Sequence, residues 1–540
     1  MNLRPYQQHA VENAIATFER AGSGLIVMAT GCGKTVVFSS LIKNWPNNDR
    51  VLVVAHREEL IHQAADKIAR ITGEQPDIEM ADMRADTGSM WSQRARVVVA
   101  SVQSLIAGKP ARMERFNPRT FGLVIIDEAH HAPASSYGKV LEFFGRNAGI
   151  KIVGVTATPD RADEQALGRV FQEVICEYNL LDAIRDGYLV PIHQTSVNVH
   201  GLDYSNVGMV AGDLNQRGIA KAQSSEAVLH EMVHPTIEIA NGRKTIVFAT
   251  PGSGGDENDE FKISERMTEI FNRWKPGCAA RVHQGTPKDQ RKQILNDFTT
   301  GRTQFLVNVG VLTEGFDEPS IECVALMRPT KSRSLFAQMV GRGTRPLPNV
   351  IDNMDTPEAR RWAIGQSAKP KVEIIDFKGN AGRHKLVHTA DILAGDREEK
   401  IVQRAKEIAE KDGGDVAEIM EKIEADEIAE NERKLVLAKA KYSIENLDPF
   451  DVLALRHIAV RGWDKSPTNE QVAALERLGV PVSSQLTKTQ AAAIIIKMKE
   501  RRREGLPGYR ETARLKSMGQ SPDLPLGKAL NALFNKKVGV

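Results

Sequence analysis

Short runs of Val, Ile and Leu, each too brief for a helix, alternate with amphipathic stretches through the first part of the chain. This alternation limits the fold more than any other feature. The runs are Leu25–Met28, Val51–Ala55, Val97–Ala100, Val124–Ile126 and Ile152–Val155, with helical stretches such as Glu58–Ala69 between them. Strands covered on both faces and joined through helices form a parallel sheet. The pattern restarts at Thr245–Ala249, Phe305–Val309, Cys323–Leu326 and Val372–Ile375. The fold class is therefore α/β, with two tandem parallel-sheet lobes, 1–191 and 192–395, joined near Asp182–Ile192. A chain of 540 residues is too long for one core and has room for further domains.

The texture changes after about Gly395. Residues 396–442 are dense in Glu and Lys, show no strand signal, and read as a charged helical linker or arm. Residues 443–540 read as a small, mainly helical C-terminal domain. Thr468 with Gln471 and Thr487 with Gln490 have the spacing of capping boxes, and Gly479, Gly505 and Gly519 are helix stops. No strict long-period repeat is evident. The acidic, Gly-rich stretch Gly252–Glu260 reads as a surface loop.

Net charge is only +3, so any nucleic-acid site must be a local patch. One such concentration is Lys497, Lys499 and Arg501–Arg503, continued by Arg510, Arg514 and Lys516. It predicts that the C-terminal helices bind DNA or a protein partner; a solvated basic face on a small bundle is the alternative. Cys32, Cys176, Cys278 and Cys323 are far apart and form no C-x-x-C pair, which fits a reducing cytoplasm and no disulfide framework. Neither a signal peptide nor an apolar run long enough to span a bilayer is present, so no membrane partner is expected.

Two segments carry chemistry. Ala29 to Thr35 reads ATGCGKT and sits between a strand and a helical stretch. Glycines there let backbone N–H groups turn toward phosphate oxygens, Lys34 reaches the β- and γ-phosphates, and the Thr35 hydroxyl can hold Mg2+. Met28 stands where the strict pattern has Gly or Ala. Thr30, Gly31, Cys32 and Gly33 complete the loop. The second segment, Leu123–His130, is an apolar strand ending in two carboxylates. Asp127 would position Mg2+, and Glu128 would orient or deprotonate an attacking water. His130 reads as a sensor beside the γ-phosphate, and His131 as structural.

With these two segments in order, the chain resembles superfamily 2 helicases of the DEAH type. Thr156 to Pro159 (TATP) resembles the tripeptide that links hydrolysis to strand movement. Leu3 to Gln7 (LRPYQ) resembles the adenine-reading element, making Arg4 and Gln7 base contacts. Val311 to Pro319 resembles the motif touching nucleotide and strand, with Gly315 and Asp317 on the nucleotide side. Gln338 to Arg345 resembles the arginine-finger motif, with Arg342 and Arg345 facing the γ-phosphate and Gln338 beside them. The match runs over about Asn2–Leu393 and is similar to type III restriction motor subunits and RadD-like helicases, without the cysteine-rich zinc element of the latter. It implies two RecA-like lobes, ATP and Mg2+ as cofactors, and ATP-dependent helicase or translocase activity on single-stranded, forked or duplex DNA. By the same resemblance, Arg57, Ser101, Gln103, Thr250 and Thr313 meet strand phosphates, and His283 and Gly285 match a further loop. The alternatives are a restriction or defence motor subunit, an RNA helicase, and a non-hydrolysing clamp.

Overall fold

The computed structural model describes residues 3–45, 49–87, 94–145, 149–157, 166–210, 212–252, 262–313, 315–381, 386–395, 397–427, 449–455, 465–483, 486–518 and 520–534. Thr158 and Pro159 of the TATP segment, and most of the Gly-rich stretch at 253–261, lie outside these residues. The chain forms two compact units, Met1–Ile423 and Glu424–Val540.

The first unit holds both lobes. In the first lobe, β1 (Ser23–Met28), β2 (Arg50–Ala55), β3 (Asp77–Glu79), β4 (Val97–Ser101), β5 (Phe121–Asp127), β6 (Lys151–Thr156) and β7 (Glu173–Tyr178) form one sheet in the order β3-β4-β2-β5-β6-β1-β7. Every pairing in it is parallel. β1, β2, β4 and β5 are buried along their whole length, which is why they read as continuous apolar runs. The helices α1 (Pro5–Thr17), α2 (Lys34–Asn44) and α3 (Glu58–Thr72) pack on the sheet through residues such as Ala10, Val37 and Ile61.

In the second lobe, β8 (Ile192–Asp203), β11 (Thr245–Phe248), β12 (Ala279–His283), β13 (Phe305–Val309), β14 (Cys323–Leu326), β15 (Val372–Asn380) and β16 (Gly414–Asp415) take the order β12-β13-β11-β14-β15-β8-β16. A small hairpin, β9 (Met209–Val210) with β10 (Asp213–Leu214), stands apart from this sheet. The expected two-lobed α/β fold is thus present, and one apolar cluster runs from Tyr6 through Leu180 and Ile192 to Val372, joining the lobes.

Residues 397–423, within the segment read as a charged linker, belong to this first unit. The helix Glu399–Asp412 buries Ile401, Val402, Ala405 and Ala409. The segment had shown no strand signal, yet β16 pairs antiparallel with β8. Gly413 (φ +67) and Gly414 (φ +125) turn the chain back after the helix, a backbone course that carries no apolar signature.

The second unit contains the helices Asn469–Arg477, Lys488–Arg503, Tyr509–Ser517 and Leu526–Phe534. Both expected capping boxes form, at Thr468–Gln471 and Thr487–Gln490. Without a strict sequence repeat, the unit still shows two similarly spaced helix pairs. Asn469–Arg477 and Tyr509–Ser517 are both nine residues long and begin forty positions apart. At the same offset, Pro467 matches Pro507, Leu475 matches Leu515, Gly479 matches Gly519 and Lys488 matches Lys528. Leu475 and Leu515 are both fully buried. A helix–turn–helix unit is used twice, and too few side chains coincide for the sequence to reveal it. No helix among the described residues is long and apolar enough to cross a membrane.

Candidate nucleotide site between the lobes

The phosphate loop leaves β1 and enters α2 through two left-handed glycines, Gly31 (φ +92) and Gly33 (φ +83). A Cβ on Gly33 would stand 2.7 Å from the Gln7 amide nitrogen, so the loop and the N-terminal helix meet only because that side chain is absent. Gln7 Nε2 and the Tyr6 hydroxyl each donate to the Cys32 carbonyl oxygen at 2.9 Å. Gln7 therefore braces the loop's backbone. Cys32 is buried, and burial pushes its thiol up to about 12, which leaves it inert.

Lys34, in the first turn of α2, faces the end of β5: its Nζ is 3.8 Å from Glu128 Oε1. Glu128 has a left-handed backbone (φ +50) that turns its carboxylate from the strand end toward the loop. Such a conformation in a non-glycine residue costs energy and concentrates at functional sites. Asp127 and Glu128 are both buried. Asp127 Oδ1 accepts the Glu128 backbone N–H at 3.0 Å. His130 Nδ1 lies 3.5 Å from Glu128 Oε2 and 3.3 Å from the Thr156 hydroxyl, so one imidazole joins the acidic pair to the TATP strand end. His131 packs edge-on against His56.

The second lobe closes over this loop. A Cβ on Gly341, at the end of the helix Arg333–Gly341, would stand 2.6 Å from Thr30 Cβ. Arg345 passes over Gly31, its Cγ 3.4 Å from where a Cβ there would be, and its guanidinium pairs with Asp317. Arg342 is placed differently from the sequence reading: it donates to the Thr313 carbonyl through Nε and Nη2 and to the Phe316 carbonyl through Nη1. Its guanidinium binds the neighbouring loop rather than facing the cleft. Gln338 is buried within its helix. Gly315 lies at the lobe junction, where its carbonyl accepts from Gln63.

The residues fit a nucleoside triphosphate. Left-handed glycines, a helix start, Lys34 and a second-lobe arginine converge on one loop, and Thr30 Oγ1 is buried with no hydrogen-bond partner among the described residues. Asp127, buried at the end of β5, and Thr35, at the start of α2, carry oxygens of the kind that could hold a divalent ion. Beside the loop, Tyr6 stacks on Tyr178 at 4.2 Å, and Arg4 lies over Tyr188 at 4.8 Å. On the same Tyr188 ring sits Arg360, at 4.0 Å. Sequence reasoning missed Tyr178, Tyr188 and Arg360, which are remote in sequence and carry no motif. It also missed Lys369, a buried lysine donating to the Pro319 and Arg345 carbonyls at 2.7 Å each.

The residues expected to meet a strand divide into two groups. Arg57 reaches across to the Gly310 and Val311 carbonyls at 3.3 Å, and Gln103 donates to the His56 carbonyl. Ser101, Thr250 and Thr313 are buried. Ser101 caps the helix Val102–Ile106, and Thr250 Oγ1 has no partner among the described residues. In this conformation these three hydroxyls do not face solvent. His283 and Gly285 form a local turn, with the Gly285 N–H donating to His283 Nδ1.

Residues 1–161 match the family described as type III restriction enzyme, res subunit, and residues 225–346 match the helicase conserved C-terminal domain. The Saccharomyces cerevisiae protein IRC3 is 32% identical over 364 residues, covering 64% of this chain and 49% of its own length. The DNA 3'-5' translocase XPB2 of Sulfurisphaera tokodaii is 24% identical over 368 residues, covering 63% of this chain and 78% of its own. A solved fragment described as the HsdR subunit of a type I restriction enzyme from Vibrio vulnificus YJ016 superposes with a TM-score of 0.50 at 24% identity. It covers 72% of this chain and 65% of that one, and bears on the fold alone. The chain spans about half the length of the yeast relatives it matches.

Proposed function

We propose that this chain, which belongs to the superfamily 2 helicases related to restriction-enzyme motor subunits, hydrolyses ATP to move along or remodel DNA. The observation that carries this reading is the convergence of Lys34, Glu128 and Arg345 from three separate segments on one glycine loop. When bound, ATP with Mg2+ supplies the phosphoryl group and the cation that neutralises its oxygens. Thr35 and Asp127 would hold that cation. Lys34 and the start of α2 hold the phosphates. Glu128 orients the water and accepts its proton, and His130 keeps that carboxylate in line with Thr156.

Arg345 completes the site only when the lobes are closed. Held by Asp317 and lying over Gly31, the Arg345 guanidinium would then be placed to stabilise negative charge on the transferring phosphoryl group. Closing and reopening around that contact is the stroke that shifts the lobes along a strand. The DNA preference is supported by the similarity to the DNA 3'-5' translocase XPB2 of Sulfurisphaera tokodaii. The basic C-terminal helices are the auxiliary DNA contact. Between 465 and 534 the chain has twelve basic and six acidic residues, against +3 for the whole.

The test is the ATPase rate of the full chain against single-stranded, duplex and forked DNA and single-stranded RNA. Stimulation by DNA over RNA is expected. Stimulation by RNA alone turns the reading to an RNA motor, and absent turnover with every polymer turns it to a clamp.

A further inference from the structure

The second lobe carries a histidine cluster that the nucleotide reading does not use. The helix Glu226–Ala240 contains His230, Glu231 and His234, in the spacing H-E-x-x-H. Four residues apart on a helix, the two imidazoles share one face. Here they meet: His230 Nδ1 and His234 Nε2 are 3.1 Å apart. Two nitrogens on one tetrahedral Zn2+ ion stand roughly 3.4 Å apart, given metal–nitrogen bonds of about 2.0–2.1 Å. The pair is thus preformed to within a few tenths of an ångström.

The outer contacts support the same role. His230 Nε2 faces Glu226 Oε1 at 3.5 Å. A proton held there leaves the Nδ1 lone pair directed at His234, as carboxylates do behind metal-binding histidines. Glu226 is itself held by Arg266 at 2.8 Å. The same groove is lined by His200, Asn198 and Pro235. The His200 side chain is 90% exposed, and its Nδ1 faces Glu231 Oε2 at 3.6 Å. Among the described residues no three ligands already converge. The site is therefore an exposed two-imidazole chelate, with His200 paired to Glu231 beside it.

We propose that His230 and His234 bind a divalent d-block cation, with Zn2+ as the natural probe. Imidazole nitrogens suit Zn2+, Ni2+ or Cu2+ and discriminate against Mg2+. The spacing is that of metallohydrolases, but Glu231 is turned away. Its Oε2 accepts the His200 backbone N–H at 2.6 Å, so it is not placed to activate a metal-bound water. Binding, not hydrolysis, is what the geometry supports, and it stands independently of the ATP site.

The experiment is Zn2+ titration of the chelator-stripped full chain in competition with a colorimetric chelator, at neutral pH and with Mg2+ in excess. The comparison is a His230→Gln/His234→Gln double variant, whose changes lie at the surface. The wild type is expected to take up one more equivalent than the variant and to show a Zn2+-dependent rise in unfolding temperature that the variant lacks. Equal uptake and equal unfolding temperatures in the two proteins, with matching circular dichroism, overturn the proposal.

Discussion

The Arg342 guanidinium donates through both Nε and Nη2 to the Thr313 carbonyl oxygen, at 3.2 and 2.8 Å, while Arg345, three residues on, lies over Gly31 of the phosphate loop. Two arginines that look equivalent in the sequence therefore have different work. Arg345→Ala is expected to keep nucleotide affinity, since the first lobe holds most phosphate contacts, and to lose turnover by on the order of 10³. Arg342→Ala instead leaves the Thr313 and Phe316 carbonyls unpaired and is expected to lower thermal stability as well as activity. Nucleotide binding and melting curves for both variants check this; a normal ATPase rate in Arg345→Ala refutes the assignment.

Lys34→Ala is expected to abolish turnover, because the ammonium is the nearest point charge to the β- and γ-phosphates. Glu128→Gln keeps the shape of the site and is expected to bind nucleotide while turning over at least about 10²-fold more slowly. Near-normal rates in either purified variant contradict the roles given to these residues.

Lys369 predicts a pH dependence of stability. Burial lowers its pKa from 10.5 in the unfolded chain to about 7 in the folded one. Between those values the unfolded chain binds one more proton, so stability rises with pH from about 7 toward 10.5; that gain is lost as pH falls back to 7, and the group adds no further change below it. The neutral amine still has two N–H groups for its two carbonyl partners. Cys32 and Cys323, pushed up to about 12 by burial, act oppositely above pH 9, which leaves pH 7–9 as the clean window. Denaturant titrations should show a gain of about 1 kcal/mol per pH unit that Lys369→Met removes. Identical slopes in the two proteins would rule it out.

In the C-terminal unit the basic cluster is not uniform. Arg501 is buried and donates to Asp523, Thr512 and the Pro522 carbonyl, so it holds the two hairpins together. Lys499, Arg502 and Arg503 are exposed. Changing these three to Gln is expected to weaken DNA binding and reduce the salt slope by roughly 2–3, with basal ATPase unchanged. An unchanged slope would leave the cluster as a solvated or protein-binding face.

Much of this protein was legible in its amino-acid order because local physics sufficed. Strands buried on both faces must be apolar throughout, so the runs at Val51–Ala55 or Phe305–Val309 announced the two sheets. A phosphate loop must be glycine-rich and followed by Lys and Thr, so Gly31 to Thr35 stood out. What the order of residues could not decide was anything settled by distant neighbours. Arg342 and Arg345 differ only through where the 313–316 carbonyls lie. That Thr250, Thr313 and Ser101 are buried in this conformation could not be read from their motifs. The Arg4–Tyr188–Arg360 sandwich and the lysine at 369 join segments with no shared signature. Side-chain chemistry is set residue by residue, but which atoms a side chain meets is set by the packing of the whole chain.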